Sequence, residues 1–419
     1  MIAAGTESKR TMLTNCAALV GVELQAVTGN ILIVDGRIQD FGPGIATEAG
    51  DTVYDLAGST VLPGLIDCHC HLIYRDVAEP YDIELRKNLA EAAIDAVFNA
   101  NALLQKGFTT VRDVGSRGNI GVEMRRAVNR GDVPGPRIQA AGQIISAPGG
   151  LGDFHPSHIF EDHPYRYALA TQIVGPHEAR AVVRRQLKDG VDWIKVGVSG
   201  TGFNPLCPAE RSGISDIEFA AVMDEARQQG VPVAAHAESA HAVRIAAEHG
   251  AQTIEHGIYI DDRSLELMVQ NKVTLSPTLS MYRAFATRGE SMGIPTAIVD
   301  GHKRTHQHHA QSVRRAFEAG VPIVAGGDAG LTHFPQGGCA EEAVSYVEQI
   351  GMSASQALQT LTINPARLLG ISADVGTIER GKVADLLVVE GDPLADVKLL
   401  QQSAARRLVM QSGTVVYRA

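Results

Sequence analysis

A disulfide scaffold is not on offer to this chain. Its five cysteines (Cys16, Cys68, Cys70, Cys207 and Cys339) are scattered and odd in number, which argues against a stapled secreted domain. A reducing cytoplasm is the expected compartment. No run approaches the roughly 18 apolar residues that a membrane helix needs. The opening MIAAGTESKRTML has no charged head leading into an apolar stretch, so no signal peptide is expected. Basic charge is also short. Thirty-seven Lys and Arg against 47 Asp and Glu give a formal charge of −10, with both signs interspersed. That argues against a nucleic-acid partner, which asks for a basic face. Neither an internal repeat nor a low-complexity tract occurs.

What the chain has is bulk. Its 419 residues are 45% apolar, enough for a large core or for a barrel with a satellite domain. The first ~60 residues read as short strands and turns. "NILIVDGRIQDFGPG" is an apolar run, an Asp-Gly turn and then alternation, a hairpin signal. The last fifty read similarly, and "RRLVMQSGTVVYRA" looks like a closing hairpin. The two β-rich ends can pair into one small sheet domain.

Between them the pattern alternates. Apolar strands recur in "VLPGLIDCHCHL", "FTTVRDVG", "PRIQAAG", "DWIKVGVS", "VPVAAHAE", "QTIEHG", "VTLSPTL" and "VPIVAGGD". Helical stretches separate most of them, such as Ala220 to Gln229 and Ala240 to His249. Eight strand–helix units imply an α/β fold with parallel strands, closed as a (β/α)8 barrel. Reactive groups in such barrels sit at the C-terminal ends of the strands.

Those ends are where the metal-competent residues lie. His69 and His71 are two apart, so both rings can face one side of a strand. Asp67 shares that face and is a candidate to orient one of them. Cys68 and Cys70 interleave; the same pleat points their thiols away, where buried cysteine behaves as a small hydrophobe. His236 and His256 end adjacent strands, and neutral imidazole is a common zinc ligand. Lys195 lies inside a strand rich in β-branched residues, where a bare ammonium is costly. Either it snorkels to the barrel mouth, or it reacts with CO2 to form a metal-binding carbamate. Asp328 follows "VPIVAGG"; a carboxylate there can bind metal and accept a proton from water.

Taken in order, "PGLIDCHCHL", the lysine strand, "AAHAES…TIEHG", "AGGDAG", "INPARLLGI" and "GTIERGKVADLLVVEGDP" resemble the amidohydrolase superfamily over about residues 15 to 419. The resemblance is strongest to its prolidase-like and imidazolonepropionase-like branch, which includes Xaa-Pro and Xaa-Arg dipeptidases and ochratoxin and phenylurea hydrolases. It implies a TIM barrel over 62–365 and a composite β-sandwich from 1–61 and 366–419. It implies a small-molecule substrate and a homo-oligomer; no membrane partner is expected, given the lack of a long apolar run. It also implies that Lys195 is carboxylated.

In the mechanism this suggests, His69, His71 and Asp328 hold one divalent cation, and His236 and His256 hold a second. The Lys195 carbamate and a hydroxide bridge them. Zinc is the default cation, with manganese or cobalt as alternatives. Asp328 shuttles the proton, and His236 or His256 assists the oxyanion. The expected reaction is hydrolysis of an amide-type C–N bond in a dipeptide, an N-acyl amino acid, or an aryl amide or urea. A deaminase or cyclic-imide hydrolase is the alternative, marked by ammonia release and a single metal. A non-catalytic scaffold would have lost ligands, and all six are present.

Substrate contacts are less legible. Where dipeptidase-like members carry a histidine after strand 3, this chain has Leu151 in "APGGLGDFHPSHIF". Either His155 or His158 substitutes, or the substrate is less polar there. Glu238, two residues beyond His236, and Tyr282 are further candidates. Arg112 can pair with a substrate carboxylate or with Asp113 or another structural acid. His302, His306 and His309 fall at helical spacing and read as the solvated face of a helix.

Overall fold

The computed structural model describes residues 9–77, 83–155, 167–202, 207–293, 296–332 and 334–419. Five strands come first: β1 (Arg10–Val20), β2 (Gln25–Val34), β3 (Arg37–Gly42), β4 (Thr52–Asp55) and β5 (Thr60–Pro63). Nine follow: β6 (Leu65–Cys70), β7 (Phe108–Asp113), β8 (Arg137–Ala140), β9 (Ile144–Ser146), β10 (Ala170–Gln172), β11 (Ile194–Gly197), β12 (Val233–Ala237), β13 (Thr253–His256) and β14 (Thr274–Ser276). Three close the chain: β15 (Leu386–Val389), β16 (Arg406–Gln411) and β17 (Thr414–Arg418).

The chain divides into two compact units. One comprises residues 1–66, 103–110 and 352–419; the other comprises 67–102 and 111–351. In the first, strands from both chain ends share one sheet in the order β17-β16-β15-β5-β1-β2-β3, with β4 on β1. The expected hairpins are there. β2 and β3 are antiparallel around a two-residue loop, in which Asp35 and Gly36 have φ of 49° and 79°. Both being left-handed marks the mirror-image turn that matches strand twist. One face of the sheet buries Leu13, Ile31, Ile33, Val61, Leu386 and Val388.

In the second unit, β10-β9-β11-β12-β13-β14 form a parallel six-stranded sheet; β6-β7-β8 form a separate three-stranded one, of which residues 65–66 and 108–110 are counted with the first unit. The helix expected from Ala220 starts earlier and runs Asp216–Gln229. A reciprocal cap sets its start: the Ser215 side chain takes the Glu218 amide, and the Glu218 side chain takes the Ser215 amide. The helix after it, Ala240–Glu248, starts where the sequence pattern places it.

The eighth expected strand, "VPIVAGGD", is not a regular strand. It makes a single parallel bridge, Ile323 to Leu275. Its backbone is nonetheless bonded on two sides. Leu275 N donates to Pro322 O and Val324 N to Leu275 O, while Cys68 N donates to Ala325 O and Asp328 N to His69 O. Gly326 permits that approach, because a Cβ there would lie 2.6 Å from His69 Cβ. Among the described residues, no helix is long and apolar enough to cross a membrane.

Candidate functional site

The strand-end histidines come together. The His69 ring lies 5.4 Å from that of His71 and 5.0 Å from that of His256, and His256 lies 4.5 Å from His236. Strand alternation would point Glu255 and His256 to opposite faces. His256 escapes that rule, because its φ is 72°. Asp328, at φ 48°, is also left-handed. Side chains held in such sparsely populated backbone cluster at functional sites.

Each ring has one nitrogen tied down. His69 Nδ1–H donates to Glu255 Oε2 at 2.7 Å, His71 Nδ1–H to Gly115 O at 2.8 Å, and His236 Nε2–H to Gly200 O at 2.9 Å. His256 Nδ1 pairs with Thr278 Oγ1 at 2.7 Å. These bonds leave Nε2 of His69 and His71 and Nδ1 of His236 as the unprotonated ring nitrogens, the arrangement seen when outer partners orient metal ligands. Burial lowers the histidine pKa values, to about 4 for His71 and about 3 for His236. His69 and His256 also fall well below the usual imidazole range, for the same leading cause. The rings are therefore neutral and ready to donate lone pairs.

Asp328 closes the group. Its Oδ1 lies 3.4 Å from His71 Nε2 and 3.7 Å from His69 Nε2. Donor atoms of His69, His256 and Asp328 all fall within 4.8 Å of one another, close enough to share a metal ion. Burial raises Asp328 to about 7, opposed by the Lys195 charge. Lys195 is 1% exposed, and its Nζ has no hydrogen-bond partner among the described residues. Burial lowers it to about 8, against the pull of Glu255. An orphaned buried amine beside neutral imidazoles and a carboxylate fits a cation-binding site better than a closed protein core.

His69, His71, Lys195, His236, His256 and Asp328 all line one cavity. It encloses about 690 Å³, mouth included, and its other walls are mainly apolar: Ile144, Leu151, Phe154, Leu169, Met281 and Leu331. Glu238 and Tyr282 line it too. Tyr282 OH donates to Glu238 Oε1 at 2.8 Å, and Gly202 N donates to Oε2 at 2.8 Å. Burial raises Glu238 to about 7.

Residues 60–416 match the amidohydrolase family model. The chain belongs to the amidohydrolase family. It is accordingly a hydrolase of carbon–nitrogen bonds. Ochratoxinase from Aspergillus niger is 28% identical to it, over 84% of this chain and 75% of the relative. Imidazolonepropionase from Rhizorhabdus wittichii is 25% identical, over 86% and 87%. The crystal structure of a prolidase complexed with N-methylphosphonate-L-proline superposes with a TM-score of 0.86 at 29% identity, over 98% of this chain and 100% of that one.

Four sequence expectations for this amidohydrolase need correction. Arg112 does not reach the cavity. It is fully buried and lies over the Trp193 ring at 4.4 Å. It donates to Cys68 O, Thr253 Oγ1 and Glu255 Oε1. Its acid is Glu255, not Asp113. His155 is not among the lining residues; it lies 3.5 Å from Glu84. His158 falls outside the described residues. Asp67 orients no ring. Its Oδ1 takes the amides of His69 and Gly327 instead. Finally, His309 is buried and its Nε2–H donates to His256 O at 2.9 Å, so that histidine face is turned inward.

Glu255 was the omission. It is buried on β13 and links the His69 ring to Arg112. Burial pushes its carboxyl up, but the Arg112 and Lys195 charges more than offset that and hold it below the usual carboxylate range. The signal was present, as an acid inside the apolar strand "QTIEHG", the same anomaly that marks Lys195.

Proposed function

We propose that this amidohydrolase cleaves an amide-type C–N bond of a small molecule at a centre holding two divalent cations. His69, His71 and Asp328 would hold one, His236 and His256 the other, and Lys195 would bridge them as a carbamate. The convergence of four neutral imidazoles and Asp328 around an orphaned lysine amine carries this reading. A lysine lowered to about 8 has an accessible neutral form, whose nitrogen adds to CO2 with release of a proton. Zinc suits the histidine-rich set, with manganese or cobalt as alternatives. Cations bound there would lower the pKa of a water and polarise the scissile carbonyl.

The chain's own groups do the rest. Asp328, whose Oδ1 lies 3.4 Å from His71 Nε2 and 3.7 Å from His69 Nε2, would take a proton from the attacking water and deliver it to the leaving nitrogen. Glu255 and Gly115 hold the two β6-end histidines in one tautomer. The apolar walls exclude water and favour a substrate with an apolar group. Leu151 stands where the prolidase-like pattern has a histidine. Together they support an N-acyl amino acid or aryl amide over a highly charged dipeptide. We further propose that the six-stranded and three-stranded sheets close as a (β/α)8 barrel over 62–365, and that 1–61 and 366–419 form a composite β-sandwich. Bonds from residues 322–328 to both Leu275 and β6 support closure.

A panel of dipeptides, N-acyl amino acids, aryl amides and aryl ureas tests the reading, with free amine and ammonia measured separately. Amine and carboxylate release is expected. Glu238, 3.6 Å from His236 Nε2, favours a second reading as a deaminase or cyclic-imide hydrolase. Ammonia release with one metal per chain would select it.

A further inference from the structure

The inward histidine face abuts the backbone that carries His256. The helix Thr296–Glu318 sends two side chains, three residues apart, onto the backbone after β13. His309 Nε2 lies 2.9 Å from His256 O; a carbonyl only accepts, so that nitrogen carries the proton. Ser312 Oγ donates to Ile258 O at 2.8 Å and accepts from Ile260 N at 3.2 Å. The loop from His256 to Ile260 is thus gripped at three backbone groups by one helix face. His309 also meets the Tyr282 ring edge-on, at 4.9 Å and 86°. Tyr282 in turn packs 6.0 Å from the His256 ring.

His256 needs such a hold. Its φ of 72° is a costly conformation for a residue with a side chain, and persists only where the surroundings over-determine it. Without that backbone twist its ring would follow strand alternation away from His69.

We propose that His309 is a positioning residue for the cation centre: its hydrogen bond to the His256 carbonyl fixes the backbone that aims the His256 ring into the cavity. The proposal rests on the reading of His256 as a ligand given above, so the test includes a variant of His256 itself.

Zinc affinity and the number of zinc ions held per chain are measured by competition with a chromogenic chelator in four proteins. These are the wild type, His256→Asn, His309→Phe and His309→Gln. Phenylalanine keeps the ring volume and the contact with Tyr282 but has no donor; glutamine restores an N–H of similar reach. His309→Phe is expected to weaken zinc about 10-fold, the low end for partners that act through a ligand. His309→Gln is expected to restore it, a rescue that mere core packing would not give. Unchanged zinc in His309→Phe, with zinc lost in His256→Asn, overturns the positioning role alone. Undiminished zinc in His256→Asn overturns the ligand reading and this proposal with it. Should His309→Phe fail to fold, Ser312→Ala loosens the same loop: weaker zinc there supports the proposal, and wild-type zinc overturns it.

Discussion

Glu255→Gln is the most informative single change outside the proposed ligand set. Glu255 is fully buried. It accepts from His69 Nδ1 at 2.7 Å and Arg112 Nη2 at 2.8 Å, and Thr253 Oγ1 also donates to it. Glutamine has nearly the same shape but one acceptor oxygen and no charge. One of the facing donors must then meet an NH2 group, and the Arg112 guanidinium loses its countercharge. Breaking a buried pair from one side costs about 3–5 kcal/mol, and the retained oxygen places the expectation near about 3 kcal/mol. Unfolding entropy of about 2.1 cal/mol/K per residue makes that a fall in Tm of about 3 °C if all 419 residues unfold together. It becomes about 5 °C if the cavity-bearing unit unfolds alone. Because the same carboxylate sets the His69 tautomer, zinc affinity should drop by about 10-fold to 100-fold. Differential scanning calorimetry and chelator competition measure the two effects. A Tm within about 1 °C of wild type together with unchanged zinc affinity would refute the reasoning that joins Arg112, Glu255 and His69.

Asp328→Asn should keep the fold, because asparagine tolerates the left-handed backbone at φ 48°. Turnover should nevertheless fall by about 100-fold or more as the proton carrier is lost, read as kcat beside a circular dichroism spectrum. Gly326→Ala places a Cβ 2.4 Å from Ser276 Oγ and 2.6 Å from His69 Cβ; a loss of about 1–3 kcal/mol in urea unfolding is expected, with activity falling alongside. Glu342 offers a pH test away from the ligands. Burial raises its carboxyl to about 7 from 4.5, so the protonated form favours the folded state. That contribution is complete below about pH 4.5 and is lost as pH rises through about 7. Glu342→Gln should therefore lose less stability than wild type between pH 5 and pH 8, by on the order of 3 kcal/mol. Parallel pH dependences would contradict the assignment.

The cluster of polar groups that lines the cavity was legible because each member breaks a pattern. His69, His71, Lys195, His236, His256 and Asp328 are polar residues inside or just ending strands that are otherwise apolar, and their strand-end positions account for the shared cavity. The Asp35-Gly36 turn was legible because Asp-Gly between apolar runs favours the left-handed pair of a type I′ hairpin turn. Arg112 was not, because its role depends on Glu255, 143 residues away, and a charge at a strand end looks the same whether it faces substrate or a buried acid. His309 was misread because spacing of i, i+4, i+7 defines a helix face without saying which way it turns. The segment "VPIVAGGD" has strand composition, yet its approach to β6 is made by individual backbone bonds around two glycines, which apolar patterning does not encode.

Elemental analysis bears most directly on the central claim. The chain is loaded with zinc and bicarbonate, freed of excess metal, and compared with Lys195→Ala treated identically. The account predicts two zinc ions per chain in the wild type and at most one in the variant. Two full equivalents in Lys195→Ala, or a wild-type chain that retains none, would contradict it.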